Sequence, residues 1–200
     1  TKVKDVQWNA TKHGILPPLV IIEPVEIGGT TISKVSGKNA RYIVDNKIGP
    51  GATVVIERSG DVIPNINKTL KGAKLKLPSV SYHWDKEDPD EGVHFVADEG
   101  AASNEIEISL LENFFDKMKA SGFGPGIVNK LYEAGYKHPG DVLNMSVEDF
   151  ESLDGIAEKS ANSLFTNLHD SISKATPEMW VAASGAIPGF GKTRIKAILK

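Results

Sequence analysis

Gly122-Phe123-Gly124, followed at once by Ile127-Val128-Asn129-Lys130-Leu131, decides how the second half of this chain is read. The same device recurs twice. Gly155-Ile156-Ala157 precedes Glu158-Lys159-Ser160-Ala161, and Gly189-Phe190-Gly191 precedes Lys192-Thr193-Arg194-Ile195. The third positions of these turns, 124, 157 and 191, are separated by 33 and 34 residues. A period that regular marks a structural repeat. Each unit is predicted to be a helix, a tight hairpin and a second helix. Upstream, Leu110-Leu111, Phe114-Phe115 and Met118 stand at helical spacing, so the helical region is expected from Ile108 onward.

Such a hairpin has a physical use. Glycine adopts backbone angles that other residues resist, and it lets the backbone come close to a ligand. The second helix then offers its unpaired N–H groups and the positive end of its dipole to an anion. Contacts of that kind hold a phosphate backbone and carry no base sequence. The middle residue of each turn, Phe123, Ile156 or Phe190, is expected to point inward and lock the two helices together. The plainer alternative is a set of ordinary glycine C-caps on packed helices. Even spacing over three units favours phosphate binding by Gly122, Gly124, Gly155, Gly189, Gly191 and Lys192, and Ala157 weakens the second unit as a contact.

Working towards the N-terminus, residues 76–107 change character. Between 85 and 107 nine acids face a single lysine, and periodic apolar positions are few. This reads as an acidic connector. The first 75 residues read as short strands. Leu19-Val20-Ile21-Ile22 and Glu26-Ile27 form an apolar run broken by Pro24, Thr30 to Val35 alternates, and Thr53-Val54-Val55-Ile56 is rich in β-branched residues. Asn39 to Asp45 suits one or two helical turns, ended by Gly49-Pro50-Gly51. That order fits a five-stranded Greek-key barrel, the OB-fold, although SH3-like barrels share much of it. The fold class is therefore β plus α: an OB-fold barrel over 1–75, a connector over 76–107 and an all-α tandem helix-hairpin-helix domain over 108–200.

The net charge of −3 conceals an uneven distribution. Residues 1–80 carry twelve Lys and Arg against six Asp and Glu, a net of +6, whereas residues 108–200 carry ten against eleven. The barrel half attracts phosphate by bulk charge. The helical half would need directed backbone donors instead. There are no cysteines, which excludes disulfides and thiolate zinc sites. No apolar run is long enough to span a membrane, and no signal peptide opens the chain. A cytoplasmic setting, in a bacterium or an infected host cell, is expected.

The residues from Trp8 to Leu70 resemble the OB domain of NAD-dependent DNA ligases. The matching stretches are Lys12-His13-Gly14-Ile15-Leu16-Pro17-Pro18, Glu23-Pro24-Val25-Glu26-Ile27-Gly28-Gly29 and Ile48-Gly49-Pro50-Gly51-Ala52. Arg58-Ser59-Gly60-Asp61-Val62-Ile63-Pro64 is the most specific of them. Residues 114–199 resemble the helix-hairpin-helix domain of the same family, in the same order after the barrel. The resemblance implies that Lys12 and His13 face the DNA backbone, that Arg58 is a functionally important arginine, and that Val62 and Ile63 press into the minor groove. An arginine can hold a phosphate with a bidentate fork, and an aliphatic pair can press on sugars and base edges. On residue type alone, Val62 and Ile63 read as the core of a strand and Lys12 as a solvated lysine.

Two departures from the family's pattern matter. The family's four-cysteine zinc module is replaced here by Tyr82-His83-Trp84-Asp85 through Asn104, so a metal-free connector is expected, which suits a reduced ligase of phage or viral type. The ligase nucleophile, a lysine in Lys-x-Asp-Gly, has no match either: Leu153-Asp154-Gly155 lacks the lysine and belongs to the second hairpin. No catalytic residue and no metal ligand is therefore expected in these 200 residues. NAD and Mg are expected on an adenylation domain, joined in cis or held as a separate subunit, and nicked duplex DNA is the expected partner. The alternatives are a stand-alone, sequence-independent DNA-binding module of repair or recombination, and a structural interaction protein using the same folds as scaffolding.

Overall fold

The computed structural model describes residues 1–59, 63–185 and 192–198, with the backbone alone for Arg58, Ser59, Ile63, Lys192, Thr193 and Arg194. The chain divides into two compact units, Thr1–Ser103 and Asn104–Lys200.

The first unit is built on a five-stranded sheet. Strands β1 (Val3–Trp8), β3 (Pro18–Ile27), β4 (Thr30–Ser36), β5 (Thr53–Ser59) and β6 (Ile63–Lys71) lie in the order β1-β3-β4-β6-β5. All pairs are antiparallel except β4 with β6, which run parallel and meet with Ser36 opposite Asn65. The first residues also reach β5. Lys2 sits opposite Thr53, and the Val3 amide donates to the Ala52 carbonyl at 2.8 Å. Helix α1 (Ala40–Asp45) falls between β4 and β5, opened by Asn39, whose side chain accepts from the Tyr42 amide. This is the OB-fold order. Alternating residues point inward, so Val6, Val20, Ile22, Val35, Val54 and Ile66 form the core with Ile43 of α1. Pro24 does not end the run. The strand continues through it, because the register of β3 against β4 shifts between Ile21 and Val25, and a bulge is where a residue without an N–H is tolerated.

The stretch expected as a connector contributes two strands. β7 (Tyr82–Trp84) and β8 (Phe95–Ala97) join β2 (Ile15–Leu16) in a three-stranded sheet of order β2-β8-β7. Its centre is aromatic. Phe95, 2% exposed, lies 4.3 Å from Trp84, 4.4 Å from Tyr82 and 5.3 Å from Trp8 between ring centroids. Arg41 of α1 ties the acidic loop to the barrel. Its Nε donates to the Gly92 carbonyl at 2.9 Å, its Nη2 donates to the Pro89 carbonyl, and its guanidinium lies 4.4 Å from the Trp84 ring. The His83 ring serves local structure. His83 Nδ1 meets the Asp98 carboxylate at 2.7 Å, and the Ser81 hydroxyl together with His83 holds that carboxyl below its usual range. The backbone amide of His94, with that of Val93, donates to Asp85.

The second unit is helical. Its elements are α2 (Ser103–Met118), α3 (Pro125–Glu133), α4 (Pro139–Leu143), α5 (Val147–Glu151), α6 (Glu158–Ser173), α7 (Pro177–Ser184) and α8 (Lys192–Ile198). The first helix starts five residues before the expected Ile108, after a turn at Gly100 in which the Ser103 hydroxyl donates to the Gly100 carbonyl. Leu111, Phe114, Phe115, Met118, Phe150, Leu164 and Leu168 share one core. The repeat is visible in that core. The residue four positions beyond each third turn position, Val128, Ala161 or Ile195, is buried every time. Among the described residues, no helix is long and apolar enough to cross a membrane.

Replacing Phe95 with alanine removes the ring on which three aromatics converge. It should cost the first unit about 3–5 kcal/mol, read by urea unfolding followed through tryptophan fluorescence. A loss below about 1 kcal/mol would show that the small sheet is not held by this ring.

Candidate nucleic-acid interface

In the first hairpin the chain leaves α2 and must reverse within six residues. Lys119 and Gly122 take left-handed conformations, with φ of 58° and 92°. That reversal drives Phe123 into the core, where its ring stacks on Phe115 at 4.4 Å and meets Phe150 edge-on at 6.0 Å. The second hairpin repeats the backbone with Gly155 at φ 68°, and Ile156 is half-buried against the same core. The inward direction expected of Phe123 and Ile156 is what the structure has. Phe190 lies outside the described residues.

The two glycines of the first turn do different work. A Cβ at Gly122 would lie 3.0 Å from Leu164 Cδ2, on a backbone that side chains resist, so glycine is needed there for folding. Gly124 has φ −77° and ψ 175°, an extended conformation open to any residue, and a Cβ there would meet nothing within 4 Å. Ala157 occupies the matching place in the second hairpin with φ −90° and ψ 161°. Of the two properties that suit glycine to such a turn, freedom of backbone angle is used at Gly122 and not at Gly124. What Gly124 supplies is open space in front of a helix end.

Those helix ends are bare. Gly124 and Ala157 are the N-caps of α3 and α6, and neither gives a side-chain cap hydrogen bond. By contrast α5 opens with a full capping box, Ser146 with Asp149, and at α4 the Asp141 carboxylate accepts from the His138 amide, while Thr176 at the start of α7 gives no side-chain cap hydrogen bond either. The first-turn N–H groups of α3 and α6 therefore have no side-chain oxygen in front of them, which is the condition for receiving an external anion. Gly126, like Gly124, leaves open space beside it. The cleft beside the first turn places Glu112, Asp116 and Lys119 along the same wall as Gly122 and Gly124. Glu158 and Lys159, both exposed in the first turn of α6, set one acid and one cation at the second end.

The other expected residues lie elsewhere. Lys12 and His13 sit in a tight turn between β1 and β2, closed by the Gly14 amide donating to the Thr11 carbonyl, with Gly14 left-handed at φ 74°. Lys12 is half-buried and His13 exposed. Arg58 and Ile63 stand at the same end of the β5–β6 pair, where Arg58 faces Pro64 and Ser59 faces Ile63 across the strands. Val62, Gly189 and Gly191 lie outside the described residues. Lys192 opens α8, described by its backbone alone.

Two residues were missed that the repeat could have exposed. Asn129 and Asn162 each stand five residues beyond the third turn position, 33 apart. Each donates its Nδ2 to the carbonyl four residues back, Pro125 at 2.7 Å and Glu158 at 2.9 Å. They tie down the first turns of α3 and α6. Among the described residues, no three His, Asp or Glu side chains gather as a metal site.

An OB-fold barrel followed in the chain by paired helical hairpins with bare helix ends is the architecture of a nucleic-acid-binding class of protein. Comparison with known families agrees. Residues 1–76 match the NAD-dependent DNA ligase OB-fold domain, and residues 116–170 match the SAM-like helix-hairpin-helix tandem. The barrel, residues 1–76, is therefore an OB-fold domain of the NAD-dependent DNA ligase type. It is similar to a DNA ligase of Acanthamoeba polyphaga mimivirus, with 36% identity over 100% of this chain and 31% of that protein. It is also similar to a putative DNA ligase, 052L, of Invertebrate iridescent virus 3, with 34% identity over 99% of this chain and 26% of that protein. The chain thus spans under a third of the length of these curated relatives.

Gly122→Ala should destabilise the helical unit by about 1–2 kcal/mol, whereas Gly124→Ala should cost far less, as Ala157 already fills the equivalent position. Thermal melts of the two variants check this. Equal losses would contradict the division of labour between the two glycines.

Proposed function

We propose that these 200 residues are the DNA-gripping portion of an NAD-dependent DNA ligase, holding nicked duplex DNA in place for phosphodiester sealing. The observation that carries this reading is the repeated hairpin: a left-handed glycine, an inward apolar residue, and a helix whose first-turn N–H groups no side chain caps. Directed donors of this kind suit a helical half whose net charge is close to zero, because they bind phosphate without a surplus of lysines. The barrel, with its excess of Lys and Arg, supplies the diffuse attraction. Lys12, His13, Arg58, Val62 and Ile63 are proposed as its DNA contacts. Gly122, Gly124, Gly155, Gly189, Gly191 and Lys192 are proposed as those of the hairpins, with Gly122 and Gly155 acting through the turn they shape.

The chemistry is assigned to another part of the enzyme. Adenylyl transfer needs a lysine nucleophile together with NAD and Mg, and the Lys-x-Asp-Gly that would carry such a lysine has no match in these 200 residues. Both cofactors are assigned to an adenylation domain, and the role of this chain is to orient the nick. Binding should be independent of base sequence, because backbone contacts carry no sequence information. It should weaken with salt, but with a modest slope, as only the lysine and arginine contacts release counterions at roughly 0.9 per neutralised phosphate.

The test is a nick-sealing assay with NAD, comparing this chain, an adenylation-domain fragment of an NAD-dependent ligase, and the two mixed. Sealing is expected in the mixture above either part alone. Retained binding to nicked duplex with no rescue of sealing would instead favour a stand-alone binding module. In the mixture, Arg58→Ala should reduce sealing about tenfold or more without lowering the melting temperature to match, and unchanged sealing would remove Arg58 from the interface. Gly124→Val, which places a branched side chain in front of α3, should weaken duplex binding in a folded protein.

A further inference from the structure

The two hairpins are braced against each other at matching points. The residue before each left-handed glycine offers its backbone carbonyl to a side chain from the second helix of the other hairpin. Asn167 of α6 donates its Nδ2 to the Ser121 carbonyl at 3.2 Å, immediately before Gly122. Lys130 of α3 donates its Nζ to the Asp154 carbonyl, immediately before Gly155. At the second brace glycine also leaves room for the side chain, since a Cβ at Gly155 would lie 3.2 Å from Lys130 Nζ, whereas one at Gly122 would stand at an ordinary contact distance of 4.0 Å from Asn167 Nδ2. Each brace thus ends one residue from the turn that presents a bare helix end.

We propose that Lys130 and Asn167 are positioning residues that lock the first two hairpins into one rigid bivalent grip on duplex DNA, fixing the separation and direction of the two helix ends. This rests on the reading that the hairpins bind phosphate. Both braces are partly solvent-exposed single hydrogen bonds, so their contribution to folding is small. Their leverage is geometric. Two weak phosphate contacts act together only if the second is already in place when the first forms, and the gain disappears when the spacing is loose. The braces are not copies of one sequence position. Lys130 stands six residues beyond Gly124 and Asn167 stands ten beyond Ala157, one helical turn further along. The reciprocity exists only in three dimensions.

The experiment uses the intact 200-residue chain, a fluorescent nicked duplex and a salt titration, with a thermal melt of every variant. Lys130→Met and Asn167→Ala should each weaken duplex binding about tenfold with little change in melting. Asn167→Ala, which alters no charge, should leave the salt slope at the wild-type value. Lys130→Arg, which keeps a donor, should recover most of the lost affinity. Asn144→Ala, which removes an equivalent side-chain bond to the Gly140 carbonyl away from the turns, should bind as wild type. Wild-type affinity in both brace variants would overturn the proposal. So would a loss confined to Lys130→Met with a salt slope lower by about one, since that would make Lys130 a direct phosphate contact. A fall in affinity matched by a fall in melting temperature would overturn it too, reducing the braces to packing. Failure of the wild-type chain to bind nicked duplex would overturn the functional reading and this inference together.

Discussion

The helical unit depends on one ring being driven into its core by a turn that only glycine accommodates. Phe123 can stack on Phe115 and meet Phe150 because Gly122 turns the chain left-handed just before it. Phe115 belongs to the first helix of the first hairpin and Phe150 to the first helix of the second. A single aromatic therefore anchors its own turn and fixes that turn against the next repeat. The exposure of Gly124 follows from it, since a chain whose Phe123 points inward must leave the next residue outside. So does the bare end of α3, and so does the approach of Asn167 to the Ser121 carbonyl.

The same logic gives a helical half with no excess positive charge a means of taking up the polyanion proposed as its ligand. Bulk charge attracts at long range and is screened by salt, whereas an oriented N–H acts at contact and carries its own direction. The capping box at α5 consumes that capacity internally, and the Asp141 carboxylate takes up the His138 amide at the start of α4. The starts of α3 and α6 keep it, and both lie exposed at a repeated hairpin turn. The barrel contributes the complementary term, and its acidic loop is tied down by Arg41, which collects the Pro89 and Gly92 carbonyls beside the Trp84 ring.

Much of this was legible in the sequence, for reasons that can be named. A 33-residue period survives in one dimension because each repeat packs the same way, with Val128, Ala161 and Ile195 at the same depth. The strand order of the barrel was readable from alternation and β-branched runs. The small sheet of β2, β7 and β8 was not, since β2 is two residues long and pairs with a segment about 80 residues away amid dense acids. The continuity of β3 through Pro24 was hidden because a bulge leaves no composition signal. The roles of the hairpin glycines could not be separated without backbone angles. Lys130 and Asn167 had no signal at all, because a side chain reaching a distant carbonyl depends on tertiary distance alone. Arg58, Val62 and Ile63 were singled out only through the family string that contains them.

Amide hydrogen exchange on the intact chain, with and without nicked duplex DNA, tests the central claim most directly. The account predicts that DNA slows exchange at the first-turn amides of α3 and α6, around Gly124, Gly126, Glu158 and Lys159, and leaves the capped starts of α4 and α5 unchanged. Protection confined to the barrel or to α4 and α5, with the starts of α3 and α6 unaffected under saturating DNA, would contradict it.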